Sequence, residues 1–143
     1  MAETMKENQG IGLAAPQVGE LKRVIAVHLI RDRSLKARSE KNPQVFFNPK
    51  IIRKSRETEI GEEGCLSFPG LFLKIKRAKE VIVEALNQEG EKFQVKAEGL
   101  PARVFQHEID HLDGILFIDR ISFRQRFKIR KKLKEMAKEY DSR

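Results

Sequence analysis

From Arg23 to Lys96 apolar residues come in short, partly β-branched runs set between polar and turn-forming residues, and from Leu100 onward the apolar period lengthens from two to about 3.6. The first regime predicts strands and the second helices. Strands are expected over Arg23 to Leu29, Val45 to Lys54, Glu80 to Leu86 and Lys92 to Lys96, with a charged loop from Arg31 to Gln44 between the first two. Asn48-Pro49 interrupts the second run; proline offers no N–H to a ladder, so that strand lies at an edge or carries a bulge. Asn87-Gln88-Glu89-Gly90 links the last two strands as a hairpin, which makes the expected sheet antiparallel in type.

Helical signals flank this region. Ala2 to Asn8 reads as the closing turns of a helix capped by Gly10, and a helix beginning so abruptly points to a missing N-terminal segment. Gly10-Ile11-Gly12-Leu13-Ala14-Ala15-Pro16-Gln17-Val18-Gly19 is too rich in glycine for a helix, and its small residues allow another backbone to come close. A helix starts at Leu100, with Pro101 in its first turn and Gly114 as its stop, and carries Leu100, Val104, His107, Glu108 and His111 on one side. Ser122 and Gln125, in capping-box spacing, open a second helix that reaches Tyr140, with an apolar stripe of Ile129, Leu133, Met136 and Tyr140 in a surround of Lys and Arg. The expected fold is α+β: antiparallel-type sheets packed around a central helix, with a basic amphipathic C-terminal helix over 122–140, all in one domain spanning 1–143.

Composition narrows the class. The 143 residues are 40% hydrophobic and 35% charged, which suits a soluble globular domain rather than a disordered or membrane-embedded chain. No apolar run approaches the roughly 18 residues of a membrane span, and Met1 to Gln9 lacks the apolar stretch of a signal peptide, so a cytoplasmic protein without a membrane partner, and a monomer, is expected. The net charge of +8 concentrates in residues 31–56 and in the tail from 120. An anionic partner suits that tail. The single cysteine, Cys65, has no partner for an internal disulfide, which leaves packing, metal ligation or nucleophilic chemistry.

The strongest chemical signal is His107-Glu108-Ile109-Asp110-His111. Histidines at i and i+4 of one helix bring both imidazoles to a single metal ion, and Glu108 points into the same space as a general base. The bland alternative, two surface histidines with an accidental glutamate, must spend two of only three histidines on this spacing. His28 lies in an apolar run and reads as a structural residue. A catalytic metal also needs a third protein ligand and an open position. The extended HExxHxxGxxH pattern holds as far as Gly114 but would put its third ligand at Phe117, and Glu135 sits inside the basic helix. Cys65 is the better candidate, in Glu63-Gly64-Cys65-Leu66-Ser67-Phe68-Pro69-Gly70, read as a loop; the alternative is an inert packed thiol.

Taken in order, Gly10-Ile11-Gly12-Leu13-Ala14-Ala15-Pro16-Gln17, Glu63-Gly64-Cys65-Leu66-Ser67 and Gln106-His107-Glu108-Ile109-Asp110-His111 resemble the motifs of peptide deformylases, and the resemblance extends from Glu3 to Ile121. It implies removal of the formyl group from the N-formylmethionine of nascent polypeptides, releasing formate. It implies further that Cys65, His107 and His111 hold Fe2+, replaceable by Zn2+, Ni2+ or Co2+, that Glu108 is the acid and base, and that the Gln17 amide and the Leu66 N–H stabilise the oxyanion. Gly12 and Gly64 would then let an extended peptide lie against the backbone, and Ile11, Leu100 and Val104 would line a methionine pocket, although ordinary core packing accounts for these three equally well. Arg77 either supports the Cys65 segment through Glu63 or is a solvated surface arginine. In such a family the basic C-terminal helix docks on the ribosome; packing of its Ile129 and Leu133 stripe on the domain is the alternative. Rival readings are a metallopeptidase with the same HExxH machinery, an RNA-binding protein with a structural metal, and an inactive truncated relative.

Overall fold

The computed structural model describes residues 1–29 and 43–143, so most of the expected Arg31–Gln44 loop lies outside the described residues. Two helices and seven strands order the site: α1 (Ala2–Glu7), β1 (Gly12–Ala14), β2 (Val24–Val27), β3 (Gln44–Lys54), β4 (Thr58–Cys65), β5 (Phe68–Ala78), β6 (Glu80–Leu86), β7 (Lys92–Glu98) and α2 (Leu100–Leu112). The chain ends in α3 (Phe123–Asp141). A five-stranded antiparallel sheet runs in the order β1-β2-β3-β6-β7, and β4 and β5 form a separate two-stranded hairpin. The α+β architecture with antiparallel sheets and a central helix is as expected, and α2 packs against both the large sheet and β5.

The strands follow the alternation. Inward residues of β2, β3 and β6 such as Ile25, Val27, Phe46, Val81 and Val83 meet Val104, Phe105 and Ile109 of α2 in one core, where Phe46 and Phe105 pack edge to face at 5.0 Å. A second core gathers Leu71, Leu73 and Ile75 of β5 with Phe117 and Ile118, and α3 closes it with Ile129, Leu133 and Met136. Tyr140 is 80% exposed and does not continue that stripe into the second core.

Several local features differ from expectation. The α1 cap is at Gln9, whose φ of 53° takes the left-handed position, while the Gly10 N–H closes the turn on the Met5 carbonyl at 2.9 Å. Gly114 does serve as the stop of α2, with φ 71° and the following Ile115 N–H bonded to the Asp110 carbonyl at 2.8 Å. Of the two readings of Asn48-Pro49 the bulge is correct: β3 lies inside the sheet, and its pairing with β6 shifts register between Phe47 and Lys50. The Ser122–Gln125 capping box forms as the spacing predicts. The segment Glu63–Gly70 is no loop; it is the end of β4, a two-residue turn and the start of β5. His28 follows β2, where its backbone N–H bonds the Ile11 carbonyl at 2.9 Å, and it is not among the residues grouped as metal donors.

Candidate functional site

Helix α2 presents His107 and His111 one turn apart, and the end of β4 brings Cys65 to them. The His107 and His111 Nε2 atoms are 3.2 Å apart, and the Cys65 Sγ is 3.3 Å from His111 Nε2. These three atoms all lie within 4.8 Å of one another, a set able to hold a metal ion. Donors at the usual 2.0–2.3 Å from one tetrahedral ion stand roughly 3.3–3.6 Å apart, so the spacing fits.

The electrostatics favour a positive charge among them. Burial works against ionising the Cys65 thiol, yet hydrogen bonds from His107 and His111 overturn it and hold the thiol down at about 5. Burial likewise opposes a charged His107, but hydrogen bonds to Cys65 and Glu63 push it up to about 10. A thiolate facing an imidazolium is the protonic counterpart of a thiolate facing a metal ion. Glu63 Oε2 takes the other ring nitrogen, His107 Nδ1, at 2.8 Å, which turns Nε2 towards Cys65.

Glu63 is itself clamped. Arg77 bonds both its oxygens, at 2.8 and 3.0 Å, so the paired reading of Arg77 is the correct one. Burial would raise the Glu63 carboxyl, but hydrogen bonds from His107 and Arg77 bring it down to about 2. Arg77 continues to Asp110, which Arg120 grips with two more bonds. Arg103 reaches from α2 to Glu63 Oε1 at 3.0 Å and to the Ile75 and Glu59 carbonyls at 2.8 and 3.0 Å. Sequence reading missed Arg103, Asp110 and Arg120. For Arg103 and Asp110 the only available signal was helical spacing beside the HExxH residues, and buried arginine is rare enough that spacing alone does not argue for it; Arg120 lies beyond the end of that helix.

Glu108 is the odd member. It is 5% exposed, and its Oε2 is a buried polar atom without a hydrogen-bond partner among the described residues. Burial is the main cause that raises its carboxyl to about 7, against the opposing pull of His107 and His111. The space it occupies depends on Gly12, where a Cβ would sit 2.6 Å from Glu108 Oε1 and 2.8 Å from Val104 Cγ1. Gln17 is held through its Oε1, which accepts from the Ala14 N–H at 2.8 Å; its Nε2 then faces the Cys65 Sγ at 3.7 Å and donates to Ser67 Oγ at 3.3 Å.

A cavity of about 560 Å³ opens over these groups. Ile11, Gly12, Gln17, Gly64, Cys65, Leu66, Leu100, Val104, His107 and Glu108 all border it, and His111 stands behind His107. The residues expected to form the metal, catalytic and substrate-binding site are thus in one place. Ile11 and Leu100 are 38% and 50% exposed, so core packing does not account for them, whereas Val104 belongs to the main core as well.

Comparison with known proteins shows the family. Residues 1–127 match the family model described as polypeptide deformylase. The chain is 49% identical over 138 residues to peptide deformylase of Neisseria meningitidis, covering 96% of this chain and 78% of that one. It is 47% identical over the same length to the Thermotoga neapolitana peptide deformylase, again with 96% and 78% covered. The structure of Arabidopsis thaliana peptide deformylase 1B superposes with a TM-score of 0.87 at 37% identity, over 98% of this chain and 75% of that one.

Proposed function

This chain belongs to the peptide deformylase family, hydrolases acting on formyl-methionyl peptides, and we propose that Cys65, His107 and His111 hold the divalent cation of the reaction while Glu108 moves its protons. The observation that carries this reading is the close packing of the Cys65 sulfur and two Nε2 atoms beside a buried carboxylate oxygen that has no partner among the described residues. One soft sulfur and two imidazoles suit first-row divalent ions. We assign Fe2+ as the native ion, with Zn2+, Ni2+ or Co2+ able to replace it. A cation held there supplies Lewis acidity, which polarises the formyl carbonyl and makes water nucleophilic near neutral pH.

The chain's own groups complete the chemistry. Glu108 Oε2 takes the proton of the attacking water and returns it to the departing amine nitrogen, and formate leaves. Its elevated pKa, about 7, suits both halves of that exchange. As the formyl carbon becomes tetrahedral its oxygen gains charge, and the Gln17 Nε2–H and the Leu66 backbone N–H are the donors for it. The hold of Ala14 on Gln17 Oε1 supports this, because it fixes the amide with nitrogen towards Cys65. Gly12 and Gly64 let the peptide lie extended between the two walls of the cavity, with the methionine side chain against Ile11, Leu100 and Val104.

Formate release from formyl-Met-Ala-Ser by anaerobically iron-loaded protein tests the reading. Cys65→Ala should lose metal and turnover together, and Glu108→Ala should lose turnover and keep the metal. A Cys65→Ala protein with full metal content removes the ligand assignment. Aerated protein should fall behind the anaerobic sample as iron and sulfur oxidise; equal activity counts against iron.

The enzyme would work in the cytoplasm, where formylated chains emerge, and α3 would dock it on the ribosome through its exposed basic face. No helix among the described residues is long and apolar enough to cross a membrane. Co-sedimentation with ribosomes should weaken with salt and with Lys131→Glu and Lys134→Glu, two exposed positions outside the core packing. Lys132 is the wrong choice, since it holds the Gly70 carbonyl at 2.9 Å.

A further inference from the structure

Arg120 does not border the cavity and its side chain is 39% exposed, yet both arms of its guanidinium are engaged by one buried carboxylate. Its Nε donates to Asp110 Oδ2 at 3.0 Å and its Nη2 to Oδ1 at 2.6 Å. An arginine at a surface normally keeps its rotamer freedom, so a two-point hold of this kind needs a reason. Asp110 supplies one, because its Oδ2 also accepts from Arg77 Nη1 at 2.6 Å, and Arg77 meets Glu63 with its other nitrogens at 2.8 and 3.0 Å. Glu63 Oε2 in turn accepts from His107 Nδ1 at 2.8 Å. A line of hydrogen-bonded side chains thus leads from the surface to the outer ring nitrogen of a metal-binding histidine. The turn Phe117–Arg120 that carries Arg120 also lays the buried Phe117 ring 5.8 Å from the His107 ring, so one short segment braces His107 from two directions.

We propose that Arg120 is a positioning residue of the metal site, which keeps Arg77 on Glu63 by occupying Asp110 and so fixes the direction of His107 Nε2. This deepens the assignment of His107 as a metal ligand and rests on it. The Arg77 guanidinium is one rigid plane facing two buried carboxylates, Glu63 and Asp110, whose side chains are 4% and 10% exposed. With Arg120 in place, Asp110 has a cation of its own. Without it Asp110 relies on Arg77 alone, and a buried charge short of its partner is costly enough to draw the nearest cation towards it. Arg77 then shifts from Glu63 to Asp110. Glu63 keeps Arg103 on Oε1, but Oε2 loses the placement from which it accepts the His107 N–H. A histidine freed at its outer nitrogen turns more easily, and metal affinity depends on that restraint.

The test compares wild type, Arg120→Ala and Arg120→Lys by Zn2+ affinity in chelator competition and by the proton NMR resonance of the His107 Nδ1–H in the Zn2+-loaded protein. Arg126→Ala is the control, since Arg126 pairs with Asp119 at 3.6 Å rather than with Asp110. Arg120→Ala should weaken Zn2+ about tenfold, the lower end of the range for partners of metal ligands, because it acts through other side chains. It should also shift or broaden the His107 resonance, which a merely structural arginine would leave unmoved. Millimolar guanidinium ion should restore both, because the exposed site the side chain vacates admits a free planar fork, and ammonium ion should not. Arg120→Lys, a charge without the fork, should recover only part of the loss. KM for formyl-Met-Ala-Ser should be unchanged while kcat falls. Should Arg120→Ala fail to fold, Arg120→Lys carries the same comparison. An unchanged resonance and affinity, a loss equally present in Arg126→Ala, or a loss that guanidinium leaves in place overturns the positioning role. A wild type that binds no Zn2+ would instead overturn the ligand assignment beneath it.

Discussion

At the scale of single residues the site trades stability for chemistry, and Glu108 shows the trade. A free glutamate releases its proton near 4.5, whereas burial keeps the Glu108 proton to about 7. The native state thus binds the extra proton in between, and stability falls as pH rises through that window. The cost is absent below about 4.5 and fully present above about 7. In metal-stripped protein, Glu108→Gln should therefore be more stable than the wild type at pH 8 by on the order of 3 kcal/mol, and no more stable at pH 4. Urea melts at the two pH values read the difference. The same variant, reloaded with metal, should lose about 10²–10⁴ in kcat. Gly12→Ala acts on the same atom from the other side: its methyl would collide with Glu108 Oε1, so turnover should drop at least tenfold with metal content intact. Glu108, Cys65 and the two histidines were legible because their chemistry shows in residue type and spacing. The place of Phe72 at the cavity border was not, since a phenylalanine in a strand reads as core until the face it occupies is known.

Among elements, the hairpin β4–β5 is where sequence reading failed and where the site depends most on tertiary contact. β4 reads Thr-Glu-Ile-Gly-Glu-Glu-Gly-Cys, with three acids and two glycines, residues that strands disfavour. It is a strand because β5 pairs with it and because Arg103 of α2 holds its carbonyls from the inner side. The alternation of β5, with Leu71, Leu73 and Ile75 inward against Phe72, Lys74 and Lys76, was visible in the sequence but was hidden by the turn-like Phe68-Pro69-Gly70 before it. Arg103 binds Glu63 and three carbonyls of the hairpin, so Arg103→Leu should leave Glu63 and those carbonyls short of donors. A loss of about 3–5 kcal/mol is expected in chemical denaturation, the range for breaking a buried ion pair by removing one partner. Metal affinity should fall with it, because the hairpin carries Cys65. A variant with wild-type stability would show that Arg77 alone is enough to hold β4.

Across the whole molecule, a polar seam of Glu63, Arg77, Arg103, Asp110 and the two histidines links α2, which packs in the main core, to β5, which packs in the second. The site is thus also the joint between the sheet side and the α3 side. Glu63 is central to the seam, bonded to β5 through Arg77 and to α2 through Arg103 and His107. Its carboxyl, held down at about 2 rather than 4.5, contributes stability that is fully present above about 4.5 and is lost as pH falls towards 2. Glu63→Gln keeps much of the shape but not the charge. It should leave Arg77 and Arg103 undercompensated at pH 7, with a marked loss of stability, and the gap to the wild type should close as the pH is lowered through that window. Metal should oppose the acid transition by mass action until protons displace it from Cys65 and the histidines, so holoprotein should unfold at lower pH than chelated protein. Circular dichroism during acid titration of wild type and Glu63→Gln, each with and without chelator, resolves these effects. If the seam joins the two cores, chelated wild type should lose the α3 and sheet signals in a single transition. Two separate transitions would mean that each core stands without the joint.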